Sequence, residues 1–165
     1  MKIGLLSDTH SFLHPRLFDF FAHCDELWHC GDIGKVEVMN KLQTFKPLRA
    51  VYGNIDGMEI RNQCKEIELF SVENLKICMT HIGGYPSRYD AKALKIIQEN
   101  KPNIFVCGHS HILRVIYDQP HNLLYINPGA AGREGFHKKI TFLRFEIINA
   151  IPTNMEIFEE ERDIV

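Results

Sequence analysis

"VCGHSH", residues 106–111, sets two histidines one residue apart behind an apolar run and a glycine. Taken as a surface turn, it holds two solvated imidazoles. Taken as the loop beyond a buried strand, it makes His109 and His111 candidate metal ligands. The same choice bears on the fold, because open α/β sheets collect functional side chains beyond the carboxyl ends of their strands. The question is whether other strands of this chain end alike.

They do. "KIGLLS" (2–7) runs into Asp8-Thr9-His10, "ELWHC" (26–30) into Gly31-Asp32, and "LRAVY" (48–52) into Gly53-Asn54. "LKICMT" (75–80) runs into His81, and "NIFVC" (103–107) into Gly108-His109-Ser110-His111. Singly, each residue has an ordinary reading. An aspartate after a strand often caps a helix or closes an Asx-turn. Asn54 after a glycine suits a left-handed turn, and a lone His81 at a strand end is commonly just hydrogen-bonded. Jointly these readings weaken, since unrelated turns need not all choose metal-binding side chains.

Between the strands the periodicity is helical. Pro15 suits the first position of a helix with Leu17, Phe18 and Phe21 on one face, and Val38, Leu42 and Phe45 mark a second helix. That order implies right-handed crossovers and a parallel sheet. Later, Glu73-Asn74 reads as a hairpin turn between "EIELFSV" and "LKICMT". Pro86-Ser87 should open a helix carrying Ala93, Leu94 and Ile97, with Pro102 ending it. "LRVIYD", "NLLYIN" and "KKITFLRFEII" follow with little room for helices, and "NMEIFE" adds a last strand. The expected fold is α/β: two packed mixed β-sheets flanked by helices, an αββα four-layer sandwich formed by one domain over 1–165. "EEERD" (159–163) reads as a solvated, frayed end.

Composition agrees with a soluble globular protein: 45% hydrophobic and 24% charged residues. A net charge of −2 gives no general attraction to nucleic acid. The apolar stretch before Asp8 is too short for a signal peptide, and none is long enough for a membrane span. Five cysteines without a C-x-x-C pair argue for reduced thiols and a cytoplasmic protein.

Asp8, His10, Asp32, Asn54, His81, His109 and His111 make seven candidate ligands. No cysteine accompanies them, which argues against a structural zinc site, and one catalytic zinc takes three protein ligands. The set suits two metals sharing a carboxylate. Two divalent cations would leave a net positive pocket against Asp8 and Asp32, and such a pocket fits a phosphate ester.

In this order, "DTH", "GD", "GN", a separate histidine and "GHSH" resemble the calcineurin-like metallophosphoesterases, in particular their small bacterial and archaeal phosphodiesterases without an inserted cap. The resemblance runs from Ile3 to about Gly132 and includes "YINPGAAG" (125–132). It implies that Asp8, His10 and His111 hold one metal, Asn54, His81 and His109 the second, and Asp32 bridges them. It also implies that a hydroxide bridging the metals attacks phosphorus, with Asp32, Asn54, His81 and His109 taking part in the chemistry. Manganese is the expected metal, with nickel, cobalt, iron or zinc as alternatives. The expected partner is a small phosphodiester, with no membrane and no strong nucleic-acid signal; a homo-oligomer is left open.

One position departs from the wider superfamily. Many members carry histidine after the "GN" asparagine as a proton donor, whereas this chain reads "GNID", with Ile55 there. Asp56 is then either an orienter of the ligands or a turn cap. His14 should cap the helix at Pro15, and His29 is a packed residue or a neighbour of the ligands. Tyr85, Arg88, Arg133 and His137 are candidates for contacting the ester's other substituent, and His121 is a further candidate for reaching the pocket. Two other functions stay open: a phosphomonoesterase or protein phosphatase using the same site, and a protein-interaction module like the retromer subunit of this fold.

Overall fold

The computed structural model describes residues 1–162. Strand β1 (Lys2–Leu6) leads through helix α1 (Leu17–Phe21) to β2 (Glu26–His29), and through α2 (Val36–Phe45) to β3 (Leu48–Ala50). β2 pairs parallel to β1 and to β3, as the alternating pattern implied. A one-turn helix, α3 (Met58–Arg61), precedes the β4–β5 hairpin (Ile67–Val72 and Leu75–Thr80). Glu73 and Asn74 turn it with φ of 46° and 69°, the left-handed pair that a tight hairpin requires. After β6 (Gly84–Tyr85) and β7 (Arg88–Tyr89), α4 (Ala91–Asn100) leads to β8 (Ile104–Val106), β9 (Leu113–Asp118) and β10 (Leu123–Pro128). The chain then returns in β11 (Lys139–Ile148) and β12 (Ile151–Glu161).

Two five-stranded mixed sheets result, ordered β12-β11-β1-β2-β3 and β4-β5-β8-β10-β9. Their facing sides enclose one core, in which Ile3, Leu5 and Trp28 of the first sheet share a cluster with Met79, Val106 and Ile126 of the second. Because side chains alternate across a strand, Leu6 and Leu27 point the other way and pack with Leu17, Phe21 and Leu42 of the helices. On the far side, Cys78, Phe105 and Tyr125 pack with Ala93 and Ile97 of α4. The layers are therefore helix, sheet, sheet, helix. Among the described residues, no helix is long and apolar enough to cross a membrane, and the five cysteines are free.

Three local expectations need correction. The first helix begins at Leu17, because Pro15 and Arg16 form a turn ahead of it. Pro86-Ser87 opens no helix: Ser87 has φ 77° and turns the β6–β7 hairpin, a conformation no helix accommodates. α4 starts instead after Asp90, whose carboxylate accepts the N–H groups of Lys92 and Ala93. Finally, the acidic run is not frayed over Glu159–Glu161. Those residues pair with Lys139–Thr141 of β11, and Lys139 lies between Glu159 and Glu161. Asp163 lies outside the described residues.

Candidate metal centre

Five strand ends converge on one edge of the sandwich. β1 delivers Asp8 and His10, β2 Asp32, β3 Asn54, β5 His81, and β8 His109 and His111. Ligand atoms of Asp8, His10 and His111 lie within 4.8 Å of one another, and so do those of Asp32, His81 and His109. Asp8 and Asp32 are buried at the centre, whereas Asn54 and His109 face solvent.

Hydrogen bonds fix how these side chains point. A backbone carbonyl only accepts, so His81 Nδ1, 2.7 Å from the oxygen of Cys30, must donate. In neutral His81 the Nε2 lone pair then faces two further acceptors, Asn54 Oδ1 at 3.0 Å and Asp32 Oδ2 at 3.3 Å. A second chain repeats the device. His137 Nε2 donates to the Gly132 carbonyl at 3.1 Å, which leaves its Nδ1 to accept from His111 Nδ1 at 3.0 Å. Neutral His111 thus presents the Nε2 lone pair to Asp8 Oδ1, 3.2 Å away. Among the described residues, Asp8 Oδ1 and His10 Nε2 are buried without a hydrogen-bond partner. Buried polar groups are ordinarily satisfied, and unpartnered carboxylate and imidazole atoms gathered this closely fit a cation. The donors are imidazole nitrogens and oxygens, a set suited to divalent transition metals.

The pKa shifts respond to the same charge pattern. Burial disfavours the charged form of His81, but the carboxylates of Asp32 and Asp8 outweigh it and raise its pKa. Burial likewise opposes ionisation of Asp32, yet His81 beside it holds that carboxyl below its ordinary value. His109 is lowered by burial and by His81. His137 is lowered chiefly by burial, which keeps it neutral for its place in the chain to His111.

The backbone around the centre is unusual. Asp8, His10, Asp32, His109 and His111 all have positive φ, between 44° and 66°. Asp and His enter this region more readily than most residues, but each such position still costs on the order of 1 kcal/mol or more. Close loop approach requires glycine as well. A Cβ on Gly53 would sit 2.0 Å from Asp32 Oδ1, and one on Gly108 would sit 1.9 Å from Ser7 Oγ.

Several supporting residues were invisible or ambiguous in the sequence. Asp56 accepts N–H groups from Gly34 and Gly53, both at 2.8 Å, so it ties the second and third strand-end loops together. Asp32 Oδ1 accepts the Ile55 N–H at 3.0 Å, and Asp8 Oδ2 that of His109 at 3.1 Å. Asn127 holds the "GHSH" loop through the Gly108 carbonyl at 2.8 Å and Ser110 Oγ at 3.0 Å. Ala131 and Gly132 donate to the carbonyls of Ser7 and Asp8, which gives "NPGAAG" a clamping role. Buried His29 bonds to Thr9 Oγ1 at 3.0 Å and accepts from the Gly31 N–H.

The proposed substituent contacts fare differently. His137 reaches the centre by gripping His111, as described. Arg133 places its guanidinium 4.2 Å from the Phe12 ring centroid. Tyr85 and Arg88 lie on the β6–β7 hairpin, where Arg114 covers the Tyr85 ring. His121 bonds to Asp118, which also accepts from Tyr89. His14 does not cap the helix: its Nδ1 accepts the Arg16 N–H at 3.2 Å within the turn that precedes Leu17, and among the described residues no side chain caps α1.

Residues 1–150 match the calcineurin-like phosphoesterase superfamily domain, and the chain belongs to that superfamily. Among proteins it is similar to is a phosphodiesterase of Methanocaldococcus jannaschii, 28% identical over 145 residues, covering 78% of this chain and 83% of that one. A structure described as a novel archaeal phosphodiesterase shares the fold at TM-score 0.75 and 20% identity, over 96% of this chain and all of that one. A wild-type Vps29 of Entamoeba histolytica complexed with zinc shares it at TM-score 0.72 and 20% identity, over 99% and 100%.

Proposed function

We propose that the chain is a metal-dependent phosphodiesterase that hydrolyses a small phosphodiester at a pair of divalent ions. Asp8, His10 and His111 would hold one ion and Asn54, His81 and His109 the other, with Asp32 shared. Two such ions supply Lewis acidity toward a phosphoryl oxygen and positive charge for the oxygens at which it develops. The protein's part is orientation. Cys30 and His137 fix the histidine rings, Asp56 and Asn127 fix the loops, and neutral Asn54 adds a donor atom without adding negative charge.

The observation that carries this reading is the convergence of carboxylate oxygens and imidazole nitrogens of Asp8, His10 and His111 and of Asp32, His81 and His109 in two groups, each within 4.8 Å, with Asp8 Oδ1 and His10 Nε2 buried and unpartnered among the described residues. The superfamily and the phosphodiesterase relative support a hydrolase. Metal binding alone does not discriminate, since a Vps29 with zinc has the same fold; turnover does. After chelation and reloading with manganese, the protein should hydrolyse bis(4-nitrophenyl) phosphate faster than 4-nitrophenyl phosphate, and the chelated protein should do neither. Preference for the monoester would favour a phosphomonoesterase, and metal uptake without hydrolysis would favour a protein-interaction module.

A further inference from the structure

A cavity of about 540 Å³ opens beside the metal centre and shares Asn54 and His81 with it. Its other walls come from Tyr52 and Arg61 on one side and from Ile82, Ala93 and Ile96 on the other. Its place suggests that a phosphate at Asn54 and His81 would send one substituent into this space. What that substituent is follows from the lining of the wall.

The charged wall groups are already engaged. Lys92 Nζ meets Glu66 Oε1 at 2.6 Å. Asp90 Oδ1 caps α4. Arg61 Nε donates to the Asp56 carbonyl at 2.6 Å, and its Nη2 reaches the carbonyls of Gly53 at 3.3 Å and Asn54 at 3.4 Å. The same guanidinium lies 4.5 Å from the Tyr52 ring centroid. Thr80 Oγ1 donates to the Glu66 carbonyl. Lys92 is thus paired with a carboxylate, and Arg61 is turned onto backbone carbonyls and the Tyr52 ring. The rest of the wall offers Ile82, 43% exposed, with half-buried Ile96 and Tyr52. Apolar surface left open in a cavity gains by being covered.

We propose that this cavity is a subsite for one substituent of the diester, and that the substituent is a bulky apolar group such as an aryl ring. This rests on the phosphodiesterase reading and names the substrate class within it. A methyl substituent would leave the apolar wall wet.

The test uses anions that have no ester bond to hydrolyse. Zinc-loaded protein, with isoleucine methyl groups labelled for NMR, is titrated with diphenylphosphinate and with dimethylphosphinate. Diphenylphosphinate should bind about tenfold tighter or more and shift the Ile82 and Ile96 methyl signals. Ile96→Trp, which fills the cavity, should abolish that preference; Ile82→Ser provides a second variant should the first not fold. Equal affinities, absence of binding, or shifts confined to methyl groups elsewhere would overturn the subsite. Equal affinities with bis(4-nitrophenyl) phosphate still hydrolysed overturn it alone. A preserved preference without hydrolysis of any diester overturns the phosphodiesterase reading and leaves the subsite standing.

Discussion

His111 Nε2 stands 3.2 Å from Asp8 Oδ1, and His137 holds the other nitrogen of the His111 ring at 3.0 Å. With its Nδ1–H donated to His137, neutral His111 has no proton to offer Asp8. In that neutral form the contact calls for a bound cation. Partners that orient metal-binding imidazoles typically contribute about 10–100-fold to metal affinity. His137→Ala should weaken one of two ions by about that factor while leaving the other in place, as measured by competition with a metal indicator. Equal loss at both sites would mean that His137 supports the whole loop cluster rather than His111.

Asp32 stands between the two ligand groups, its Oδ2 3.3 Å from His81 Nε2 and 3.6 Å from His10 Nε2. Manganese-loaded protein should retain close to two ions per chain after desalting. Asp32→Ala should deplete both and His111→Ala mainly one, by elemental analysis. A single ion that survives Asp32→Ala would contradict the shared carboxylate.

Two glycines four residues apart, Gly53 and Gly57, make an internal control. A Cβ on Gly53 would meet Asp32 Oδ1 at 2.0 Å and Asp32 N at 2.3 Å, whereas one on Gly57 meets nothing within 4 Å. Gly53→Ala should destabilise by about 1–3 kcal/mol, as overpacking does, and should lower metal occupancy. Gly57→Ala should be neutral or gain up to about 1 kcal/mol through the unfolded chain, since its φ of −78° suits alanine. Chemical denaturation of both variants decides the matter; equal effects would show that Gly53 does not make the loop contact.

His29 is buried, and burial lowers its pKa from 6.5 to about 4 despite nearby Asp56 and Asp8. The unfolded chain takes up a proton near pH 6.5, whereas the folded chain waits until about pH 4. Between those values the unfolded state binds more protons, so stability is fully present above the window and is lost as pH falls through it. The full shift corresponds to a loss on the order of 3 kcal/mol. His29→Asn, which cannot titrate, should flatten the pH dependence of unfolding of the metal-free protein between pH 6.5 and 4. An unchanged slope would assign the acid sensitivity to other groups.

Ile55 stands where many superfamily members carry histidine, and it is 46% exposed, so it does not pack beneath the loop. A general acid contributes typically ~10²–10⁴-fold when it has a poor leaving group to protonate. The wild type should show a steep dependence of kcat/KM on leaving-group pKa. Ile55→His should flatten it by raising turnover of alkyl relative to aryl esters. An unchanged slope at full metal occupancy would mean that position 55 does not face the leaving oxygen.

The sequence by itself determined the layered α/β sandwich and singled out the candidate site residues, because both are written in local signals. Alternating apolar runs ended five times in Asp, His or Asn, and each run named its own strand and its own loop. Turn chemistry was legible where one residue type dominates the conformation, as at Glu73-Asn74, and misleading at Pro86-Ser87, where either a turn or a helix start fits. Only the tertiary structure decided the rest. Nothing near Cys30 in the chain says that its carbonyl will fix the His81 ring, or that His137 will fix His111, since these partners are 51 and 26 residues apart. The same holds for Glu159–Glu161, which sequence composition assigns to solvent and pairing with β11 turns into an edge strand. Side-chain direction, left-handed backbone at the candidate ligands and the lining of the neighbouring cavity all arise from contacts between distant segments, which exist only once the two sheets have packed.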